Sequence, residues 1–164
     1  MNTFEKSESI KTSLRQGFQD GSSKMARRKC YGYTVSAKGQ LVINSDEAQI
    51  VRWIFERYLA GDSLEKIVSC LERKGIPSPT GKSKWNLEAI DELLSNEKYT
   101  GWVLLQKTIS TGISQIENIG LMDRYLYTDT HEAIISDKMF MAVQKEKLTR
   151  NKNPEKVIAM HLTF

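Results

Sequence analysis

The sequence is poor in cysteine, histidine and proline, and it has no long apolar run. Its two cysteines, Cys30 and Cys70, form no CxxC pair. That argues against a zinc site and a disulfide framework, and fits a reducing cytosol. No stretch approaches the roughly 18 apolar residues of a membrane span, and mean hydropathy is -0.44. The opening MNTFEKSESIK lacks the apolar core of a secretory signal. A soluble, cytoplasmic protein is expected. Neither GxGxxG nor GxxxxGK[ST] occurs, so no nucleotide loop can be argued. His131 is read as a turn residue with a satisfied hydrogen bond. Cys30 has no base and orienting partner nearby in sequence. No catalytic set, no metal site and no cofactor are therefore expected.

The chain has 164 residues, of which 40% are hydrophobic. That suits one domain with arms, long enough to bury a core without a staple. The charge is uneven. The formal net charge is +4. Residues 1–30 hold seven bases and three acids, and the remaining 134 hold seventeen of each sign. A basic patch on a neutral body points to a phosphate-bearing partner, against the blander reading of a solvated arm.

Residues 5–20 read as a helix with one thin stripe, Ile10, Leu14 and Phe18, and Gly21 stops it. Residues 21–30, GSSKMARRKC, read as an extended basic arm. Residues 31–43 read as a hairpin. Asn44 or Ser45 caps a helix whose apolar face runs Ile50, Val51, Ile54, Phe55, Tyr58 and Leu59. Ser63 caps a second, with no acid or amide at Lys66 to complete a capping box. Asn86 caps a third over 87–95. Residues 99–109 read as a strand, 111–120 as a loop and Tyr125–Tyr127 as a strand pairing back. Ser136 caps a last helix of roughly 137–151, which Pro154 ends. The expected class is α+β: a helical domain with a helix-turn-helix-like core and a small antiparallel sheet, preceded by a projecting N-terminal helix.

Two basic segments are candidates for a nucleic-acid interface. The arm offers Ser23, Lys24, Arg27, Arg28 and Lys29, followed by Tyr31; an acid-free Lys/Arg ribbon suits a narrow minor groove. The connector from Arg73 to Asn86 carries Arg73, Lys74, Lys82 and Lys84 and no acid. With Ser83, Trp85 and Asn86 it leads into a helix start, where backbone N–H groups can meet a phosphate. Together the ribbon and the Trp-bearing loop would clamp a duplex backbone. Two positions stay open. The helix 87–95, with Glu88, Asp91 and Glu92, either presents one face to bases or merely braces the connector. Tyr31 and Tyr33 serve either the hairpin or a sugar–phosphate contact. Trp53 reads as core, and Trp85 as either core or contact.

Several blocks fall in order: Tyr31-Gly32-Tyr33, the run Glu47–Tyr58, Gly75-Ile76-Pro77-Ser78-Pro79, Trp85, Leu94–Gly101 and His131–Ser136. Over roughly residues 5–150 this resembles the DNA-binding "recombinase" domain of large serine recombinases, the integrases and transposases of phages and mobile elements. The resemblance implies a division into 1–21, the end of a long linking helix; 22–30, a linker for the minor groove; 31–152, the DNA-binding domain; and 153–164, a tail toward a zinc ribbon. It implies double-stranded DNA as partner, at an attachment or transposon-end site, and self-association of the full-length protein as dimer or tetramer. The catalytic serine domain of such an enzyme would precede residue 1, so the chain is expected to bind DNA without cutting it. A stand-alone helix-turn-helix regulator, a module binding acidic protein and a cysteine enzyme around Cys30 are the competing readings.

Overall fold

The computed structural model describes residues 3–110 and 113–151. The expected tail 153–164 and Pro154 lie outside the described residues. Helix α1 spans Thr3–Gln19. Its stripe is largely in solvent, with Ile10 and Leu14 each 53% exposed. The chain turns at Gly21, where φ is +74° and a Cβ would come 3.1 Å from the Tyr127 ring. The Tyr127 hydroxyl donates across two carbonyl oxygens at the end of α1, Gln19 at 2.6 Å and Phe18 at 2.9 Å. Those are acceptors that a helix end leaves unsatisfied.

The arm departs from its expected extended form, because Lys24–Arg27 fold into a 3-10 turn. Ser23 starts it, its Oγ accepting from the Met25 N–H at 3.3 Å. A serine hydroxyl that satisfies a nearby backbone donor favours such a turn, and a charge pattern carries no trace of it. The chain extends again at Arg28.

Strands β1 (Tyr33–Val35) and β2 (Leu41–Ile43) pair antiparallel with Tyr33 opposite Ile43. Helices α2 (Ser45–Leu59), α3 (Leu64–Arg73) and α4 (Leu87–Leu94) follow. Asn44, not Ser45, caps α2, its Oδ1 accepting from the Glu47 N–H at 3.3 Å. Ser63 and Asn86 cap α3 and α4 in the same way. Such a cap is worth about 1 kcal/mol. Val51, Ile54 and Phe55 of α2 meet Ile67 and Leu71 of α3, Ile90 and Leu94 of α4, and Tyr33 in one core.

The single strand expected over 99–109 does not form. Glu97–Thr100 make a 3-10 turn, Gly101 adopts φ +80°, and two short strands follow, β3 (Val103–Leu105) and β4 (Thr108–Ser110). Local bonds override strand propensity here. The Asn96 Oδ1 accepts from the Lys98 N–H at 3.2 Å, and the Thr100 hydroxyl donates to the Glu97 carbonyl at 2.7 Å. Between the strands, Gln106 takes φ 63°. The expected loop 111–120 instead contains β5 (Gln115–Glu117), paired with β4, while β6 (Tyr125–Tyr127) pairs with β3. Asn118, 1% exposed, secures the break. Its Nδ2 donates to the Gln106 and Met122 carbonyls at 2.9 and 2.8 Å, and its Oδ1 accepts from the Met122 N–H at 3.1 Å. The class is α+β as expected, with three separate two-stranded ribbons among the described residues instead of one sheet.

Helix α5 (Asp137–Arg150), capped by Ser136, adds Phe140 and Val143 to the core. Its last residue ties it to α2. The Arg150 guanidinium lies over the Tyr58 ring, 4.1 Å from the centroid, and donates to the carbonyls of Tyr58 and Asp62 at 2.8 and 2.7 Å. His131 sits edge-on to Tyr33, with ring centroids 4.9 Å apart. Its Nε2 donates to the Lys98 carbonyl at 2.6 Å, and its Nδ1 lies 2.7 Å from the Thr130 hydroxyl, so the sequence-based reading of a satisfied turn histidine agrees.

Two outcomes follow from this packing. A Cβ on Gly101 would lie 2.7 Å from the His131 carbonyl oxygen, so Gly101→Ala should cost about 2 kcal/mol or more, read as a lower urea midpoint at unchanged slope. Burial pushes the His131 pKa below its ordinary value. The unfolded chain then binds the proton more readily. Stability should be full above about pH 6.5, the unfolded value, and fall as pH drops below it toward the folded value. Urea midpoints at pH 7.5 and 5.5 check this, and His131→Asn should flatten the difference.

Candidate nucleic-acid interface

The arm and the connector each border the turn after α4. Asn96 and Tyr99 line a cleft of about 490 Å³ together with Tyr31, Ser78, Thr80, Lys82, Lys84 and Asn86. From the same turn, Lys98 reaches the other way and donates from Nζ to the carbonyls of Met25 and Arg28, both at 3.0 Å. The basic arm and the two lysines of the connector therefore flank one short segment. Inside the connector, the Gly81 N–H donates to the Ser78 carbonyl at 2.7 Å and the Ser78 N–H to the Lys82 carbonyl at 2.8 Å. That tight turn presents Lys82, Ser83 and Lys84, all exposed.

Ion pairing divides the cations only in part, since Lys38, Lys138 and Lys145 of the body are exposed and make no ion pair among the described residues; what sets the arm and connector apart is clustering without acids. Arg57, Lys66, Lys107, Lys147 and Arg150 pair with carboxylates of the body, and Lys11 pairs with Glu8 on α1. Lys24, Arg27, Arg28, Lys29, Lys82 and Lys84 are exposed and make no ion pair among the described residues. Clustered cations without counter-charges concentrate positive potential, which is what a phosphate backbone selects.

Other sequence candidates sit elsewhere. The Trp85 ring is 5% exposed, which removes it from any base stack. Its Nε1 donates to the Ile76 carbonyl at 2.9 Å, its N–H goes to the Glu72 carboxylate at 2.9 Å, and Tyr31 packs edge-on at 5.7 Å. An indole surrounded by apolar groups with its one donor satisfied is a core residue, here one that shapes the connector. Lys74 caps the Trp53 ring, 4.7 Å from its centroid, and an Arg73 guanidinium nitrogen lies 3.4 Å from the Cys70 sulfur. Both belong to the end of α3 and neither lines the cleft. Ser23 and Asn86 have local work as caps. Trp53 is only partly buried.

Tyr31 keeps its proton at any ordinary pH, since burial and then the Glu47 charge push its pKa up to about 12. It offers the cleft a neutral hydroxyl. The acids of α4 divide. Asp91 pairs with Lys147 of α5 at 2.8 Å, Glu88 is exposed, and Glu92 lines the cleft. The Gln144 amide of α5 donates to the Leu94 carbonyl at 2.8 Å, so α4 is braced from behind. Sequence reasoning missed Asn96, Lys98, Ser78 and Thr80. Only Asn96 had a local signal, an Asn placed to cap the turn.

Comparison with known proteins places this arrangement. The Recombinase family model matches residues 45–150. The crystal structure of an LSR–DNA complex is similar, with a TM-score of 0.51 and 23% identity over 77% of this chain and 33% of that one. A structure concerning sequence requirements of the Listeria innocua prophage attP site is similar at a TM-score of 0.52 and 24% identity, over 77% of this chain and 45% of that one. The chain thus spans less than half the length of either, and the likeness is one of fold. The family match covers more than half of the chain and takes in α2 to α5, the connector and every cleft residue but Tyr31: the protein belongs to the Recombinase family.

Proposed function

We propose that this chain is the DNA-binding part of a large serine recombinase and holds the enzyme on half-sites of an attachment or transposon-end sequence. The observation that carries the reading is the set of six exposed, unpaired cations of the arm and connector, gathered on either side of the Asn96–Tyr99 turn. The arm supplies Lys24, Arg27, Arg28 and Lys29 to one stretch of duplex backbone. The connector supplies Lys82 and Lys84 to another, with the Ser78, Thr80 and Tyr31 hydroxyls beside them in the cleft. Phosphate contacts of this kind set register and orientation and carry no sequence information themselves. Family membership supports site-specific recombination as the activity of the whole enzyme, in which a serine outside these residues attacks the phosphodiester. Self-association belongs to that whole enzyme too. The chain by itself binds duplex and leaves it uncut.

Affinity for short duplexes, measured by fluorescence anisotropy across a salt series, tests the reading. Replacing Arg27, Arg28 and Lys29 by Gln should flatten log K against log[salt] by about 0.9 for each phosphate no longer neutralised. Replacing Lys82 and Lys84 should flatten it in the same way. Unchanged slopes for both sets would remove this surface from the interface, and nicking of supercoiled plasmid by the purified chain would overturn the division of labour.

A further inference from the structure

Lys98 behaves unlike the other cations near the arm. Its Nζ makes two hydrogen bonds, to the Met25 and Arg28 carbonyls, across 70 residues of sequence in the second case. The Met25 carbonyl lies within the 3-10 turn Lys24–Arg27 and also accepts from the Arg28 N–H at 3.3 Å, and the Arg28 carbonyl follows just beyond it. The Lys98 main chain is itself anchored. Its carbonyl takes the His131 Nε2–H, its N–H goes to Asn96, and Tyr99 beside it is 2% exposed. The side chain is half-buried. Burial, and to a smaller degree the nearby charges of Lys107 and Arg28, push its pKa below the ordinary lysine value. An ammonium in that position is directed at backbone, whereas Arg27, Arg28 and Lys29 remain exposed.

Resting on the reading of the arm as a duplex ligand, we propose that Lys98 is the positioning residue of that arm. It touches no phosphate. It fixes the main chain from Met25 to Arg28 against the body, so that Arg27, Arg28 and Lys29 leave on one path. A segment ordered before binding loses less conformational freedom when it binds, so the benefit appears as affinity delivered through three other side chains. Nothing in the sequence singles out this lysine, because its acceptors are backbone atoms of a distant segment.

Two variants and two readouts test it. Lys98→Met keeps the stem and removes the ammonium; Lys98→Arg keeps the charge and the donors. In the free protein, amide hydrogen exchange over residues 24–30 should quicken several-fold in Lys98→Met, with α2 unchanged, and stay near the original rate in Lys98→Arg. Unchanged exchange in Lys98→Met overturns the proposal without reference to DNA. In the salt series, Lys98→Met should weaken binding several-fold at every salt concentration, because the ordering cost is then met on binding, while the slope, which counts neutralised phosphates, stays near the original. Placed on the Arg27→Gln/Arg28→Gln/Lys29→Gln background, it should weaken binding no further. Additive effects would make Lys98 an independent cation and overturn the proposal alone. A triple variant that binds as the original does would sink the arm's role in DNA binding, and this one with it.

Discussion

The turn from Asn96 to Gly101 is the constraint that the rest of the molecule is built around. Tyr99 lies at its centre, stacked on Tyr33 with centroids 6.2 Å apart and edge-on to Phe55 at 6.0 Å. Its carbonyl accepts from the N–H groups of Ile134 and Ile135 at 2.8 and 3.0 Å. Glu97, 7% exposed, binds Lys107 at 2.6 Å and the Leu104 N–H at 3.0 Å, which joins the turn to β3 and β4. Gly101 lets the backbone pass the His131 carbonyl at a separation no side chain would permit. One six-residue segment thereby orients the hairpin, the helical core, the strands and the arm. A polar cluster so placed is effective only while every member is satisfied, and no buried side-chain polar atom lacks a partner among the described residues.

Charge is distributed according to the same division. Cations that serve the fold are paired or set on aromatic rings and carbonyls, as with Arg57, Lys66 and Arg150 around Asp62 and Tyr58. Individually such surface pairs contribute little to stability. Their effect on the outer field is larger, since they offset cations of the body, while the arm and the connector keep theirs clustered in segments that hold no acid. The neutral balance of residues 31–164, evident in the sequence, is the same fact seen without coordinates.

Much of the architecture is legible in the sequence because it rests on local chemistry. Asn44, Ser63, Asn86 and Ser136 announce helix starts, and each caps one. The apolar faces of α2 and α3 follow a 3.6-residue period that burial obeys at Val51, Ile54, Phe55, Tyr58, Ile67 and Leu71, while Leu59 at the end of α2 is left 38% exposed. Legibility ends where tertiary contacts decide. The strand expected over 99–109 is split by Gln106 in a left-handed conformation that a buried Asn118 supports from twelve residues away. The arm reads as extended because charge has no period, yet a serine hydroxyl caps a turn in it and a lysine some seventy residues later in the sequence binds its carbonyls. Trp85 illustrates the site. Lys82 and Lys84 precede it and its neighbours on both sides are exposed, but its ring turns inward against Tyr31, and only the paths of Ile76 and Glu72 reveal that. The cation clusters can be read from composition; their shared flanking of one turn cannot.

The grip of Tyr127 on the last carbonyls of α1 has a mechanical side. Helix α1 runs for 17 residues with its stripe in water, about 25 Å at 1.5 Å per residue. At its C-terminal end it is held by one phenol and by a glycine whose Cβ would sit only 3.1 Å from the same ring. A swing of about 10° there would carry the far end by about 4 Å, simple lever geometry on that rise. The direction of that rod thus turns on how an aromatic ring meets Gly21, with Arg15 and Gln19 of the same helix facing Gln106, Met122 and Tyr125 across a cleft.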